Sequence, residues 1–246
     1  MASAETLLKS ILILVASLAS NYGLTPPTAK QPKDSTQNEA VYRGQSFEVV
    51  VYLWTNLGRI VVMLLGLLHV SAMITLELPG RLPQTIAQTL CPYPAPNIHG
   101  LRELSVTFGL GVSLMILGSL LRGWCFHALG QHFTFHVTVA SNHALVTTGP
   151  YAYVRHPSYT AVFMMLLGFT LAYIVSHGSY ISECWSLSST GGKGFVYVGW
   201  FLVPAYTVVS LAKRGIVEDG LLKQRFGTKW VQYATRVPFR FIPYLV

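Results

Sequence analysis

The sequence predicts an all-α multispan membrane protein with about five transmembrane helices. Of its 246 residues, 52% are hydrophobic and only 11% are charged, with a mean hydropathy of +0.47. A soluble domain carries about 25% charged residues, so most of this surface faces something other than water. The apolar residues also fall in long runs, and five of these approach the ~20 helical residues needed to cross a hydrocarbon core.

In chain order the runs are Leu7 to Leu24, Val49 to Leu76, Leu104 to Leu121, Tyr159 to Val175 and Phe195 to Leu211. The first also fits a cleaved signal sequence, since Lys9 precedes an apolar stretch, but Glu5 in the would-be positive region favours a retained span. The second is long enough to tilt and contains Asn56 and Arg59, for which a structural pairing is expected. Thr25 to Gln45, with Pro26, Pro27 and Pro32, is expected to be a poorly ordered connection. Leu78 to His99 carries Pro79, Pro83, Pro92, Pro94 and Pro96, a density that predicts an irregular loop rather than helix interior. Ser176 to Gly194 is polar and predicts a third loop outside the bilayer.

The formal charge of +8 arises from 17 basic and 9 acidic residues. A nucleic-acid partner would require those bases along one solvated face, whereas here they sit in short clusters beside apolar runs, as cytosolic loops do. No nucleic-acid partner is expected. The tail after Leu211 holds Lys213, Arg214, Lys223, Arg225, Lys229, Arg236 and Arg240, while Ser176 to Gly194 has only Lys193. That asymmetry places the tail in the cytosol, together with Arg122 to Ser158 and Thr25 to Gln45. Cys91 and Cys184 then share the opposite side, where they are free either to pair or to remain apart.

Chemistry concentrates between the third and fourth runs, where histidines stand at 127, 132, 136, 143 and 156. A zinc site needs paired ligands one turn apart and, commonly, a carboxylate or thiolate. Arg122 to Ser158 contains no Asp or Glu, and Phe133 to Val139 favours extended structure, so no metal is expected. Further on, Gly149-Pro150 has turn chemistry, and Pro157 suits the first position of a helix. Arg155 and His156 therefore precede a helix N-terminus, an anion-binding geometry. Read alone, this segment divides evenly between an anion cradle and an anchor to lipid headgroups. In the tail, Arg214 and Glu218 share a helix face at i, i+4, which is either part of a site or a helix-stabilising pair. The following aromatics and bases suit a segment folding back along the membrane surface.

The ordered set HALVTTGPYAYVRHPSY, a helical hairpin, R-x-x-x-E-D and F-G-x-x-W-x-x-Y-x-x-R-V-P-F resembles the isoprenylcysteine carboxyl methyltransferase family over about Arg122 to Tyr244. The resemblance divides the chain into N-terminal membrane helices, 1–121, and a catalytic region, 122–246, whose cofactor site lies between the loop before the last hairpin and the C-terminal tail. It implies an endoplasmic reticulum enzyme that uses S-adenosyl-L-methionine to methylate the prenylated C-terminal cysteine of small GTPases or other CaaX proteins. On matching positions, His143, Ala144, Leu145, Val146, Tyr151, Arg155, His156, Pro157, Ser158 and Glu218 resemble cofactor contacts. Arg214 resembles the arginine that binds the substrate carboxylate. Gly215, Ile216 and Val217 stand where relatives usually carry more acidic residues.

The chemistry agrees with that implication. A soluble dinucleotide-type fingerprint is absent, so the cofactor would be held by these edge segments. An α-carboxylate, with a pKa of about 3.5, is already ionised and needs no general base. What it needs is an arginine to orient it and a site that excludes water. The competing classes are a phospholipid methyltransferase, a membrane reductase of the sterol type, and a non-catalytic scaffold or transporter.

Overall fold

The computed structural model describes residues 3–25, 45–91, 98–130, 144–184 and 190–244. Among these, every regular element is helical. Helices α1 (Ala4–Leu24), α2 (Gln45–Glu77) and α5 (Val106–Leu129), with α6 (Pro157–Phe169) and its extension Thr170–Val175, build a bundle. Short helices α3 (Arg81–Leu90), α4 (Ile98–Arg102) and α7 (Tyr180–Cys184) gather at one end. The long α8 (Thr190–Phe226) and the short α9 (Thr228–Arg236) complete the chain.

Four described helices are long and apolar enough to cross a membrane: Ala4–Leu24, Tyr52–Glu77, Val106–Leu129 and Pro157–Cys184. This is one fewer than predicted. The fifth predicted run, Phe195 to Leu211, is the first half of α8, a 37-residue helix that continues into Lys213, Arg214 and the charged tail. It nevertheless runs antiparallel to α6. At one end Trp200 donates to the Thr170 hydroxyl at 3.0 Å and stacks near Phe169, and at the other Arg214 and Glu218 reach Tyr159 and His156.

The tightest seam joins α5 to α6. A Cβ on Gly111 would come within 2.6 Å of the Ala172 nitrogen, and one on Gly168 within 2.6 Å of the Gly111 oxygen. Gly118 is similarly close to the Ala161 carbonyl. Without water to drive helices together inside a bilayer, close backbone approach of small residues supplies the contact. This seam fixes the start of α6, and hence the site, against the end of α5. The boundary at residue 121 lies within the continuous helix α5.

The bundle ends differ in chemistry. At one end Cys91 and Cys184 form a disulfide, Glu77 pairs with Arg102, and Tyr180 donates to the Leu90 carbonyl. The buried Lys9 ammonium donates to the Glu103 and Gly178 carbonyls at 2.7 and 2.8 Å, so α1 is an integral part of the bundle. Cys91 and Cys184, left free to pair or remain apart by the sequence, are joined at the end of the bundle away from the turn before α6. Near the opposite end Arg59 donates to Asn21 and Asn56, the structural pairing expected of it.

Two loop expectations need correction. Leu78 to His99 contains the helix α3, because Pro83 sits in its first turn, where the missing N–H has no partner to lose. Ser176 to Gly194 contains the short helix α7, anchored by Cys184. The connection Thr25 to Gln45 and the remaining prolines of the second loop lie almost wholly outside the described residues.

Candidate functional site at the start of the last hairpin

The turn before α6 forms as its residues dictate. Gly149 takes φ +60°, Pro150 follows it in a short 3-10 turn (Gly149–Ala152), and Pro157 is the first residue of α6 with His156 as its N-cap. The tail closes against this turn. Arg155 and His156 donate their backbone N–H groups to the carbonyls of Phe239 and Arg240, and the Tyr233 hydroxyl of α9 donates to the Tyr151 carbonyl at 2.8 Å.

His156 is the hub. Its ring is 7% exposed, with Nε2 3.1 Å from Asp219 Oδ1 and Nδ1 3.4 Å from Glu218 Oε2. Adjacent helical residues point about 100° apart, yet an imidazole has donors on two edges and can meet both carboxylates. Burial opposes the imidazolium charge, but the bonds to Asp219 and Glu218 outweigh it and raise the His156 pKa to about 9. Burial likewise opposes the Glu218 charge, but His156 and Arg214 outweigh it and lower its pKa to about 2. Asp219 is also lowered: burial works against its charge, and His156, Arg155 and Arg240 overcome that. The site thus holds two carboxylates and a histidinium at neutral pH.

Each arginine has a distinct task. Arg155 Nη1 lies 2.8 Å from Asp219 Oδ2, and its Nη2 donates to the Pro238 carbonyl at 3.0 Å. Arg240 Nε reaches the same Asp219 oxygen at 3.0 Å. Arg214 Nε donates to Glu218 Oε1 at 2.8 Å, and the Tyr159 hydroxyl donates to that oxygen at 2.6 Å. Arg122, buried at the end of α5, donates through Nη1 to both the Ser158 carbonyl and its hydroxyl. His156 stacks on Tyr159 with ring centroids 5.4 Å apart, and Phe241 covers both rings.

Of the residues singled out in the sequence, Tyr151, Arg155, His156, Pro157, Ser158, Arg214 and Glu218 thus meet at one end of the bundle. Arg155 turns inward to Asp219 instead of reaching out as a headgroup anchor. The anionic partners of His156, at the start of α6, are the chain's own Glu218 and Asp219. Ala144, Leu145 and Val146 form an irregular approach to the turn, and the bonds that knit the site begin beyond them at Thr148. His143 lies outside the described residues, as do His132 and His136. Among the described residues, no three His, Cys, Asp or Glu side chains gather as metal ligands would. Sequence reasoning missed Arg122, Tyr159, Asp219, Tyr233, Arg240 and Phe241. Asp219 carried a signal, being next to Glu218, and the tail's Y-x-x-R-V-P-F carried another.

This geometry coincides with a recognisable segment. Residues 111–189 match the model of the Isoprenylcysteine carboxyl methyltransferase (ICMT) family. The match covers the seam, the turn and α6, and stops before Arg214 and Glu218. Pairwise similarity reaches further along the chain. The chain is 33% identical over 141 residues to Protein-S-isoprenylcysteine O-methyltransferase B of Arabidopsis thaliana, covering 56% of this chain and 61% of that one. It is 29% identical over 149 residues to Protein-S-isoprenylcysteine O-methyltransferase of Tribolium castaneum, covering 57% and 44%. A shorter match, 27% over 109 residues, joins 44% of this chain to 21% of Delta(14)-sterol reductase TM7SF2 of Mus musculus. The chain thus spans about half the length of the methyltransferases it matches, and the resemblance read from its motifs is borne out.

Proposed function

We propose that the protein methylates the C-terminal carboxylate of prenylated cysteine, using S-adenosyl-L-methionine, at the cytosolic face of the endoplasmic reticulum membrane. Its acceptors would be small GTPases and other CaaX proteins. The observation that carries this reading is the return of α8. Arg214 and Glu218, beyond the family match, come back onto His156 and Tyr159, inside it.

The residues suit the cofactor. Glu218 is 23% exposed at its side chain and offers a carboxylate to hydroxyl or ammonium groups. On this reading Ala144, Leu145 and Val146, with His143 before them in the sequence, contact the cofactor together with Tyr151, His156, Pro157 and Ser158. Arg155, tied to Asp219 and Pro238, serves the site by holding the tail in place. When bound, S-adenosyl-L-methionine supplies the methyl group. Arg214 orients the acceptor carboxylate, for which a planar guanidinium is the matched donor. Alignment of that kind is worth on the order of 7 kcal/mol of barrier. Phe241, Tyr159 and the hydrocarbon faces of α6 and α8 keep water from the reacting carboxylate.

The similarity to a sterol reductase favours a second reading, hydride transfer from a nicotinamide cofactor. It is the weaker one, because Arg155 and Arg240 are both committed to Asp219 rather than grouped for a phosphate. The methyltransferase reading is tested by supplying purified protein in lipid with S-adenosyl-L-methionine and either farnesylcysteine or phosphatidylethanolamine. Base-labile methyl ester on farnesylcysteine is the expected product. N-methylation of the lipid, or no transfer with either acceptor, would contradict the proposal.

A further inference from the structure

The last two turns of α5 lie beneath the turn before α6. A Cβ on Gly149 would come within 3.5 Å of Trp124 Nε1 and 3.8 Å of Ala128 Cβ, so that turn rests directly on the helix. Arg122 and Cys125, at i and i+3, share one face of it. Both are buried, Arg122 at 5% exposed and Cys125 at 0%. Taking a guanidinium out of water is costly, so the groups that meet it show what it is kept for.

Arg122 Nη1 donates to the Ser158 carbonyl at 3.1 Å and to the Ser158 hydroxyl at 3.0 Å, while the guanidinium packs 5.3 Å from the centre of the Phe126 ring. A hydroxyl has two lone pairs and one proton. With one lone pair held by Arg122, the Ser158 oxygen is fixed in place and its proton is turned away from α5. Ser158 is the second residue of α6, where no helical carbonyl lies one turn back to receive that proton. Tyr151 is held in the opposite sense. Its hydroxyl donates to the Cys125 sulfur and its carbonyl accepts from Tyr233, so the hydroxyl points into the bundle and the ring is what remains for a ligand.

Resting on the methyltransferase reading, we propose that Arg122 and Cys125 are positioning residues for the cofactor, Arg122 presenting the Ser158 hydroxyl as a donor and Cys125 fixing the Tyr151 ring. A donor at Ser158 suits an acceptor oxygen on the cofactor. Acting through Ser158 and Tyr151, the two residues serve the cofactor half of the site and leave Arg214 to the acceptor.

The test uses the full-length protein in lipid nanodiscs, with S-adenosylhomocysteine affinity measured by calorimetry and KM measured separately for S-adenosyl-L-methionine and farnesylcysteine. Ser158→Ala and Arg122→Met should each weaken S-adenosylhomocysteine about tenfold, with the farnesylcysteine KM within about twofold of the parent. Because one residue acts through the other, the double variant should be no weaker than the worse single one. Arg122→Lys, which keeps a donor for Ser158, should recover most of the affinity. Cys125→Ala and Tyr151→Phe should each cost about threefold and likewise fail to add. That pair leaves the buried charge in place and decides the matter if Arg122→Met does not fold. Additive losses in either cycle, or unchanged cofactor affinity, overturn the proposal. So does a farnesylcysteine KM that rises as much as the cofactor's, which would mark Arg122 as an acceptor contact beside Arg214. A folded parent protein that binds no S-adenosylhomocysteine would instead overturn the methyltransferase reading beneath it.

Discussion

His156 and Asp219, 63 positions apart, meet at 3.1 Å across the hairpin formed by α6 and α8. That contact joins the turn before α6 to the segment after the last apolar run, and Arg155 and Arg240 lock it from the same Asp219 carboxylate. A charged cluster this enclosed persists only because each charge is answered.

The first expectation concerns pH. The folded-state pKa of His156, about 9, exceeds its ordinary 6.5, so its contribution is complete below about 6.5 and is lost as pH rises through 9. The carboxylates have the opposite sign: the contribution of Glu218 is complete above about 4.5 and is lost as pH falls through 2. Thermal unfolding in lipid should therefore show a plateau near pH 5 to 6.5 and a decline toward pH 9, on the order of 3 kcal/mol. His156→Gln should flatten that alkaline decline, and an unchanged decline would remove His156 as its cause.

Gly215 tests the packing beneath the site. A Cβ there would lie 2.9 Å from Phe241 Cζ and 3.4 Å from His156 Cδ2, so Gly215→Val should push Phe241 off the histidine. About 1 to 3 kcal/mol of destabilisation is expected. Limited proteolysis should release the C-terminal tail faster than in the parent protein.

The α5 to α6 seam should be far less tolerant than the lipid-facing positions of the same helix. Gly111→Leu meets backbone at 2.6 Å and should prevent folding, whereas a Cβ on Gly109 has nothing within 4 Å and Gly109→Ala should be nearly silent. Yield and monodispersity in detergent distinguish the two.

Much of this architecture was legible because it depends on neighbours in sequence. Gly149, Pro150 and Pro157 specify their own turn and helix start, and Arg214 and Glu218 share a face by helix period alone. Arg122 was not legible, because one arginine at the end of a span looks the same whether it faces the cytosol or the Ser158 carbonyl. The convergence of Arg155, His156 and Arg240 on Asp219 was hidden for a different reason. It depends on how α8 returns along α6, which the seam and the tail decide and no local pattern records. Helix α3 was obscured by counting prolines without asking which turn each one occupies.

The disulfide supplies a topology test. With Cys91 and Cys184 joined and Cys125 buried, a membrane-impermeant maleimide should label intact microsomes from neither side. After reduction it should label the pair only once the vesicles are permeabilised, while a C-terminal tag is accessible in sealed vesicles. Labelling of the reduced pair from the cytosol would invert the orientation.

The central claim is that Arg214 serves the acceptor and Glu218 the cofactor within one site. It is tested most directly by measuring S-adenosylhomocysteine affinity and farnesylcysteine methyl-ester formation in the same folded preparations of Arg214→Ala and Glu218→Ala. Arg214→Ala should lower kcat/KM for the acceptor by about a hundredfold or more, in keeping with loss of a charge-assisted bond of a few kcal/mol, while its cofactor affinity stays within about twofold. Glu218→Ala should weaken cofactor affinity at least tenfold. Equal losses of both properties in both variants, or no methyl ester from the folded parent protein, would contradict the account.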